Sequence, residues 1–169
     1  QVYPGGPAAQ AGLVKGDVLV SVDGFTVTDS NALRYRVVTH RPGDTAAIRY
    51  WRNGAMRDAS IRIALPPDAG REEGVIAGAN PMQGARVANL TPALADEMQM
   101  DMMARGVVVT GVAGNSQAAR FGFREGDIVR QINGERIASV AQLRRALTGS
   151  DEWQMAIQRG DQVLQLAVQ

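Results

Sequence analysis

The chain has 169 residues, of which 45% are hydrophobic and 21% are charged, a composition typical of one globular domain or two small ones. Its 18 Lys and Arg residues nearly balance its 17 Asp and Glu residues, so charge gives no sign of a nucleic-acid or membrane-surface partner. Because the chain has no cysteine, disulfides, thiol nucleophiles and thiolate metal sites are excluded. No apolar run approaches the roughly 18 residues that span a bilayer.

An internal repeat organises the sequence. Residues 2–37 align without a gap on residues 112–147 at an offset of 110, and nine aligned pairs are identical. A period of this length predicts two copies of one domain, which we place at residues 1–66 and 81–169, with a linker at residues 67–80. Only Gln1 precedes the repeat in the first copy, so we expect the first domain to lack its N-terminal strand and the parent protein to continue upstream.

The first half of the second copy contains three predicted elements. Thr91 and Pro92 have the residue types of an N-cap and first helical position, and they predict a short helix. The β-branched run Val107–Val112 predicts a buried strand. Ser116 is a plausible N-cap for another short helix, which Gly122 would end.

The second half of this copy adds a hairpin, a longer helix and two more strands. Ile128–Ile132 predicts a strand that ends in the hairpin signal Asn133-Gly134, and Asp23-Gly24 is its counterpart in the first copy. Ser139, with Gln142 three residues later, predicts the start of the main helix. The remaining predicted strands are Trp153–Gln158 and Gln162–Val168. The fold class is therefore α+β.

A glycine-rich string occurs in both copies. Residues 6–18 and 116–128 each contain small residues, a glycine, an aliphatic residue, then Gly-Asp and another aliphatic residue. Followed by Asp/Asn-Gly and a helix, this pattern resembles the bacterial PDZ domain. The resemblance implies two PDZ-like domains, each a small β-sandwich or barrel with a short and a longer helix.

The tandem arrangement, with the segment Gly84–Ala95, is most similar to the C-terminal half of HtrA/Deg (Do-like) periplasmic serine proteases. This resemblance implies a substrate-recognition and regulatory module for protein quality control. Its partners would be extended or C-terminal peptides of unfolded proteins. The parent would be a periplasmic, trypsin-like serine endopeptidase that forms homo-oligomers through a protease domain absent from this chain.

PDZ domains bind peptides by adding a strand to a sheet edge beside a helix. In the second domain the resemblance assigns one edge strand and one helix face to this role. The residues implied are Ala85, Arg86, Val87, Ala88, Asn89, Val140, Arg144 and Leu147. Alternative roles are core packing for Leu147 and a solvated charge for Arg144. The first domain, with Leu33, Arg34 and Val37 on the equivalent helix, is not expected to form a complete groove.

Catalytic, metal and cofactor sites are not expected in this chain. Gly114-Asn115-Ser116 superficially resembles the nucleophile motif of trypsin-like proteases, but Ser116 aligns with Gly6 in the repeat, and the only histidine, His40, lies in the other domain. Metal-ligand spacing is absent. We expect the methionines at 98, 100, 102 and 103 to pack within the domain or against a neighbour.

Two other functions remain open at this point. One is a structural module for oligomer assembly, in which a neighbouring subunit fills the groove. The other is the PDZ region of a membrane-embedded or tail-specific protease, or of a secretion component.

Overall fold

The structure is a computed structural model that describes residues 2–168. The chain divides into two compact units, with the division between Pro67 and Asp68. A short strand, Glu73–Val75, lies within the predicted linker at residues 67–80 and belongs to the second unit. Within residues 2–168, no helix is long and apolar enough to cross a membrane.

The first unit is an open antiparallel sheet with two helices. Its strands follow the order β2-β1-β3-β4, and a small core of Leu13, Val22, Ala46, Ile48 and Tyr50 lies against the sheet. The elements are α1 (Pro7–Gln10), β1 (Val18–Val22), β2 (Phe25–Thr26), α2 (Ser30–Val38), β3 (Thr45–Arg52) and β4 (Ala55–Arg62).

The second unit is larger than the first. Its own sheet continues beyond the strand that corresponds to β1, where the described residues of the first unit have no such strands. Its elements are β5 (Glu73–Val75), β6 (Ala85–Asn89), α3 (Pro92–Glu97), β7 (Val107–Val112), α4 (Gln117–Arg120), β8 (Ile128–Ile132), β9 (Glu135–Arg136), α5 (Val140–Ala146), β10 (Trp153–Arg159) and β11 (Gln162–Val168). The strand order is β11-β10-β8-β7-β6-β5, and β9 pairs with β8. All these pairings are antiparallel.

The predicted turns and caps are confirmed. Asp23-Gly24 and Asn133-Gly134 both have positive φ at each residue, as a two-residue hairpin turn requires. The side chains of Thr91, Ser116 and Ser139 each accept a hydrogen bond from the backbone N–H three residues later. These caps fix where α3, α4 and α5 begin.

Two hydrophobic clusters stabilise the second unit. The main cluster lies beneath α5 and includes Val87 from β6 and Leu143 from α5. A smaller cluster beside α3 includes Ala88 and Leu94, with Met98 and Met100 packed against it. For these two methionines, packing within the domain is confirmed, whereas Met102 is 46% exposed. Strand β6 thus contributes to both clusters, with Val87 in the main cluster and Ala88 in the smaller one.

An arginine–aspartate pair recurs in the two units. Arg52 donates two hydrogen bonds to the carboxylate of Asp17 and one to the carbonyl of Gly12. Arg159 makes the same three contacts with Asp127 and Gly122. Each pair ties the glycine-rich string to a long strand of its own sheet, so the repeat is structural as well as sequential.

Candidate peptide-binding site

Strand β6 is the edge strand on which the predicted site depends. Ala85 and Val87 are completely buried in the main cluster, Ala88 is buried in the cluster beside α3, and Arg86 is exposed. The Asn89 side-chain carbonyl accepts a hydrogen bond from the backbone N–H of Val140 at 2.7 Å. This contact attaches the end of β6 to the first turn of α5.

Helix α5 forms the other side of the site. Val140 and Leu147, at 0% and 4% exposure, belong to the main cluster, so both contribute to the core. The side chain of Arg144 is 48% exposed. It lies across Gly74, where an added Cβ would come within 2.0 Å of Nη2 of Arg144. Val140, Arg144 and Leu147 therefore follow one side of the helix, with the charged residue at the rim.

The outer edge of β6 is paired with the chain's own residues 72–76, here called the 72–76 segment. Gly74 lies opposite Val87 and Val75 opposite Arg86 in an antiparallel register. Further backbone hydrogen bonds extend the pairing at both ends. They are Asn89 N–H to Glu72 O at 2.9 Å, Ile76 N–H to Ala85 O at 2.9 Å and Gly84 N–H to Ile76 O at 2.8 Å.

Side chains of the 72–76 segment alternate between the protein and the solvent. Ile76 is 3% exposed and belongs to the main cluster, together with Val140 and Leu147, whereas Val75 is 57% exposed. Gly74 lies beneath the Arg144 guanidinium. Two alternate positions of the segment, 74 and 76, thus face the helix and the core, as expected for a strand.

Residues before the 72–76 segment hold it by polar contacts. Arg71 donates hydrogen bonds to the carboxylates of Glu73 and Glu97, and these carboxylates raise its pKa. Thr91 Oγ1 donates to Asp68 at 2.6 Å, and the Asn89 amide donates to the carbonyl of Gly70 at 2.9 Å. These contacts connect the approach to β5 with α3 and β6.

Gly84 shapes the connection from the segment to β6. Its φ is +87°, and an added Cβ would lie 2.3 Å from the Cβ of Ser116, so only glycine fits this left-handed, crowded position. Its N–H points at Ile76 O. The resemblance to PDZ domains implies a carboxylate loop with an aliphatic-Gly-aliphatic pattern, from which Gly84-Ala85-Arg86-Val87-Ala88 departs. The N–H of Gly84 nevertheless donates to a carbonyl of the paired segment.

The structure places all eight predicted site residues on β6, on α5 or directly after α5, although the side chain of Ala88 packs in the cluster beside α3 and not beneath α5. Sequence reasoning missed the 72–76 segment. The alternation Gly74-Val75-Ile76 was a usable signal. It was overlooked because the flanking prolines, glycines and charges at residues 66–74 are typical of an exposed connection.

The equivalent helix of the first unit has no such surroundings. Helix α2 has no buried residue, Arg34 is exposed, Val37 is 36% exposed, and Leu33 is only partly buried. No strand of the described residues lies beside β1 at the position that β7 takes beside β8. The described part of this unit therefore has no counterpart of the β6–α5 groove.

The residues considered for catalysis have structural partners. Ser116 is 4% exposed; its hydroxyl donates to Ala113 O and accepts from Ala119 N–H as the cap of α4. His40 Nε2 lies 2.7 Å from a carboxylate oxygen of Asp23. Among residues 2–168, no group of three or more His, Cys, Asp or Glu residues could hold a metal ion.

Two protein-family models match the chain, one in each unit. One described as PDZ domain matches residues 1–63, and a second with the same description matches residues 108–159. Both units are PDZ domains. The fold implied by the glycine-rich string is therefore confirmed for each copy of the repeat.

Curated relatives match the tandem as a whole. The chain is 31% identical over 150 residues to a probable periplasmic serine endoprotease DegP-like of Brucella suis, covering 87% of the chain and 28% of that relative. For the protein of the same description from Chlamydia trachomatis, the identity is 32%, covering 88% and 29%. The chain is also 29% identical to the periplasmic serine endoprotease DegP of Salmonella typhimurium, covering 100% and 33%. The tandem thus spans about a third or less of these relatives.

A solved structure also matches the chain. It is the HtrA3 PDZ domain bound to a phage-derived ligand (FGRWV), with a TM-score of 0.46 and 26% identity over 58% of this chain and 84% of that one.

Proposed function

We propose that this chain is the peptide-recognition region of a larger periplasmic serine endoprotease that acts in protein quality control. The PDZ tandem and the similarity to periplasmic serine endoproteases support this role. In this proposal the second domain binds extended peptide segments of unfolded proteins. The protease domain, and the homo-oligomer that it forms, belong to the rest of the parent protein.

One observation carries the proposal for the second domain. The outer edge of β6 accepts an antiparallel strand along its length, and an aliphatic side chain of that strand enters the buried cluster beneath α5. Backbone hydrogen bonds to an edge strand supply affinity without regard to sequence, and a side-chain pocket supplies selectivity. The groove therefore has both parts of a strand-binding site.

The predicted residues divide into three roles. The backbone of β6, from Ala85 to Asn89, pairs with the ligand. Val140 and Leu147 line the apolar pocket, and Arg144 is a cation at the rim that favours an acidic residue in the ligand. The contact of Arg144 with Glu72, at 3.8 Å between half-exposed side chains, illustrates this preference, although its contribution is small in solvent.

The chain itself is proposed to have no hydrolytic activity. The hydroxyl of Ser116 is engaged as a helix cap, and His40 lies in the other domain, beside Asp23. Cleavage would belong to the part of the parent that resembles trypsin-like proteases.

Fluorescence anisotropy tests the proposal. Labelled peptides with an aliphatic residue near one end, with and without an acidic residue four positions earlier, are titrated with the chain up to millimolar concentration. We expect Arg144→Glu to weaken binding of the acidic peptides several-fold. Arg145→Glu makes the same charge change at the neighbouring exposed position and should leave binding unchanged. Absence of binding by the wild-type chain and by the Ile76→Asp variant described below would refute the peptide-binding role.

A further inference from the structure

The strand that fills the groove of the second domain belongs to the same chain. Backbone pairing extends from Glu72 O to Ile76 O along the whole of β6. The segment also lies beside α5, because Gly74 contacts the Arg144 guanidinium and Ile76 shares a cluster with Val140 and Leu147. It therefore occupies both the hydrogen-bonding edge and the apolar pocket that a peptide ligand would use.

On the basis of the proposed function, we propose that the 72–76 segment is a built-in ligand of this groove and that it reveals which peptides the groove selects. The ligand class is an internal extended segment with an aliphatic residue in the pocket and a small residue two positions before it. Peptides of this class bind by displacing the 72–76 segment.

The preference for internal segments follows from the end of the groove. Ile76 contributes a carbonyl oxygen to the N–H of Gly84, and a neutral peptide carbonyl is sufficient for this hydrogen bond. The chain then continues into residues 77–80, which line a pocket together with residues 147–151, directly after α5. The segment that fills the groove is thus itself an internal one, and its end is held without a terminal carboxylate.

The preference for a small residue follows from Arg144. A side chain at position 74 would meet the guanidinium at once, since its Cβ would lie 2.0 Å from Nη2 of Arg144. The end of an arginine side chain is flexible and can move away, so this contact selects moderately. Removing the guanidinium should remove the selection.

Tethering makes the built-in ligand a strong competitor. A segment joined by a short connection acts at an effective concentration on the order of millimolar, so an added peptide of similar intrinsic affinity binds only to the fraction of chains whose groove is open. We expect release of the segment to increase peptide affinity by at least about tenfold.

The first experiment compares Ile76→Asp with Val75→Asp in the full chain. Asp at position 76 would place a charge in the apolar pocket and release the segment, whereas position 75 is exposed and tolerates the same residue. The probe is labelled acetyl-Arg-Glu-Glu-Gly-Val-Ile-Ala-Gly-amide, the sequence of residues 71–78. We expect Ile76→Asp to bind it at least about tenfold more tightly than the wild type and Val75→Asp do.

The outcomes separate this inference from the proposed function. If wild type and Ile76→Asp bind a peptide with equal affinity, the built-in ligand is wrong and the peptide-binding role stands. If neither binds any peptide, the peptide-binding role fails and the inference fails with it. Equal binding of the probe as free acid and as amide supports internal recognition, and a tenfold or greater preference for the acid contradicts it.

A disulfide provides a second test that does not depend on the stability of Ile76→Asp. Val75 and Arg86 are directly opposed, exposed positions on β5 and β6, and the chain has no other cysteine. In the Val75→Cys/Arg86→Cys variant, oxidation should lock the segment in place and abolish peptide binding, and reduction should restore it. Undiminished binding by the oxidised protein would overturn the proposal.

Selectivity is tested by exchanging one residue of the probe. Valine in place of the probe's glycine should weaken binding to Ile76→Asp several-fold. Adding Arg144→Ala to this variant should abolish the difference between the two peptides. If the difference persists without the guanidinium, Arg144 does not set the preference.

Discussion

Helices α2 and α5 occupy the same place in the repeat, yet their surroundings differ. Leu33 and Leu143 are aligned identical residues, but Leu143 is completely buried, whereas Leu33 is only partly buried. The difference comes from β6 and the 72–76 segment, which lie beside α5 and have no counterpart among the described residues of the first domain. The comparison shows that a short helix is stabilised mainly by the strand against which it packs. In the second domain the same strand, β6, also forms the groove beside the helix.

The largest expected effect is on the core beneath α5. Leu143→Ala should destabilise the second domain by about 2–5 kcal/mol, because it leaves a cavity at a fully buried site. Leu33→Ala should cost the first domain clearly less. Each domain has one tryptophan, Trp51 and Trp153. Urea unfolding followed by fluorescence in a Trp51→Phe or Trp153→Phe background therefore reports one domain at a time. Equal losses in the two domains would contradict the comparison.

The arginine–aspartate pair should act alike in both domains. The Asp127 side chain is 1% exposed and holds Arg159, so Asp127→Ala should destabilise the second domain by about 2 kcal/mol or more, since it leaves a guanidinium without its partner. Asp17→Ala should destabilise the first domain in the same direction. The same tryptophan-resolved unfolding measures both, and a second domain insensitive to Asp127→Ala would show that the pair is not structural.

Acid should weaken this interaction in the first domain without any mutation. Hydrogen bonds from Arg52, aided by the backbone N–H of Val14, lower the pKa of Asp17 from 3.8 to about 2. Because the folded-state pKa lies below the unfolded one, the stabilisation is fully present above about pH 4 and is lost as the pH falls towards 2.

The Trp51 signal of the Trp153→Phe variant should therefore show a falling urea midpoint between pH 4 and pH 2, and Asp17→Asn should reduce this slope. Asp29, whose pKa is also lowered, mainly by the N–H of Ala32, contributes to the residual slope. An unchanged slope in Asp17→Asn would contradict the assignment.

The smallest expected effect is at the helix caps. Ser139 caps α5 by accepting from Gln142 N–H, and Asp29 caps α2 by accepting from Ala32 N–H at 2.8 Å. Ser139→Ala should cost the second domain about 1 kcal/mol. Ser150→Ala offers a control serine change outside the caps. A loss several times larger than expected would mean that the cap also holds β6 in place through the neighbouring contact between Asn89 and Val140.

Local signals predicted most elements of the second domain. Asn133-Gly134 needs positive φ, and the hydroxyls of Thr91 and Ser139 satisfy helix-end N–H groups; these requirements act within a few residues, so they can be read from the chain. The predicted site residues also lie on neighbouring parts of the fold, on β6, on α5 or directly after α5. Their role in binding stays a prediction until it is measured.

Other features depend on residues that are distant in sequence. Arg159 contacts Asp127 across 32 positions, and Arg52 contacts Asp17 across 35. The glycine-rich strings that contain the two aspartates give no indication of which arginine each aspartate will bind. The 72–76 segment falls in the predicted linker because the short stretch Gly74-Val75-Ile76, although it suggests a strand, does not show which distant strand it pairs with.

By itself, the sequence determined that the chain is a repeat of two α+β domains with shared turns and caps, because those features depend on the steric and hydrogen-bonding properties of neighbouring residues. Only the tertiary structure decided which edge of β6 is filled, and by what. That edge is available to any strand whose backbone can reach it, and the 72–76 segment reaches it because its connection to β6 turns back at Gly84 and places Ile76 over the buried pocket.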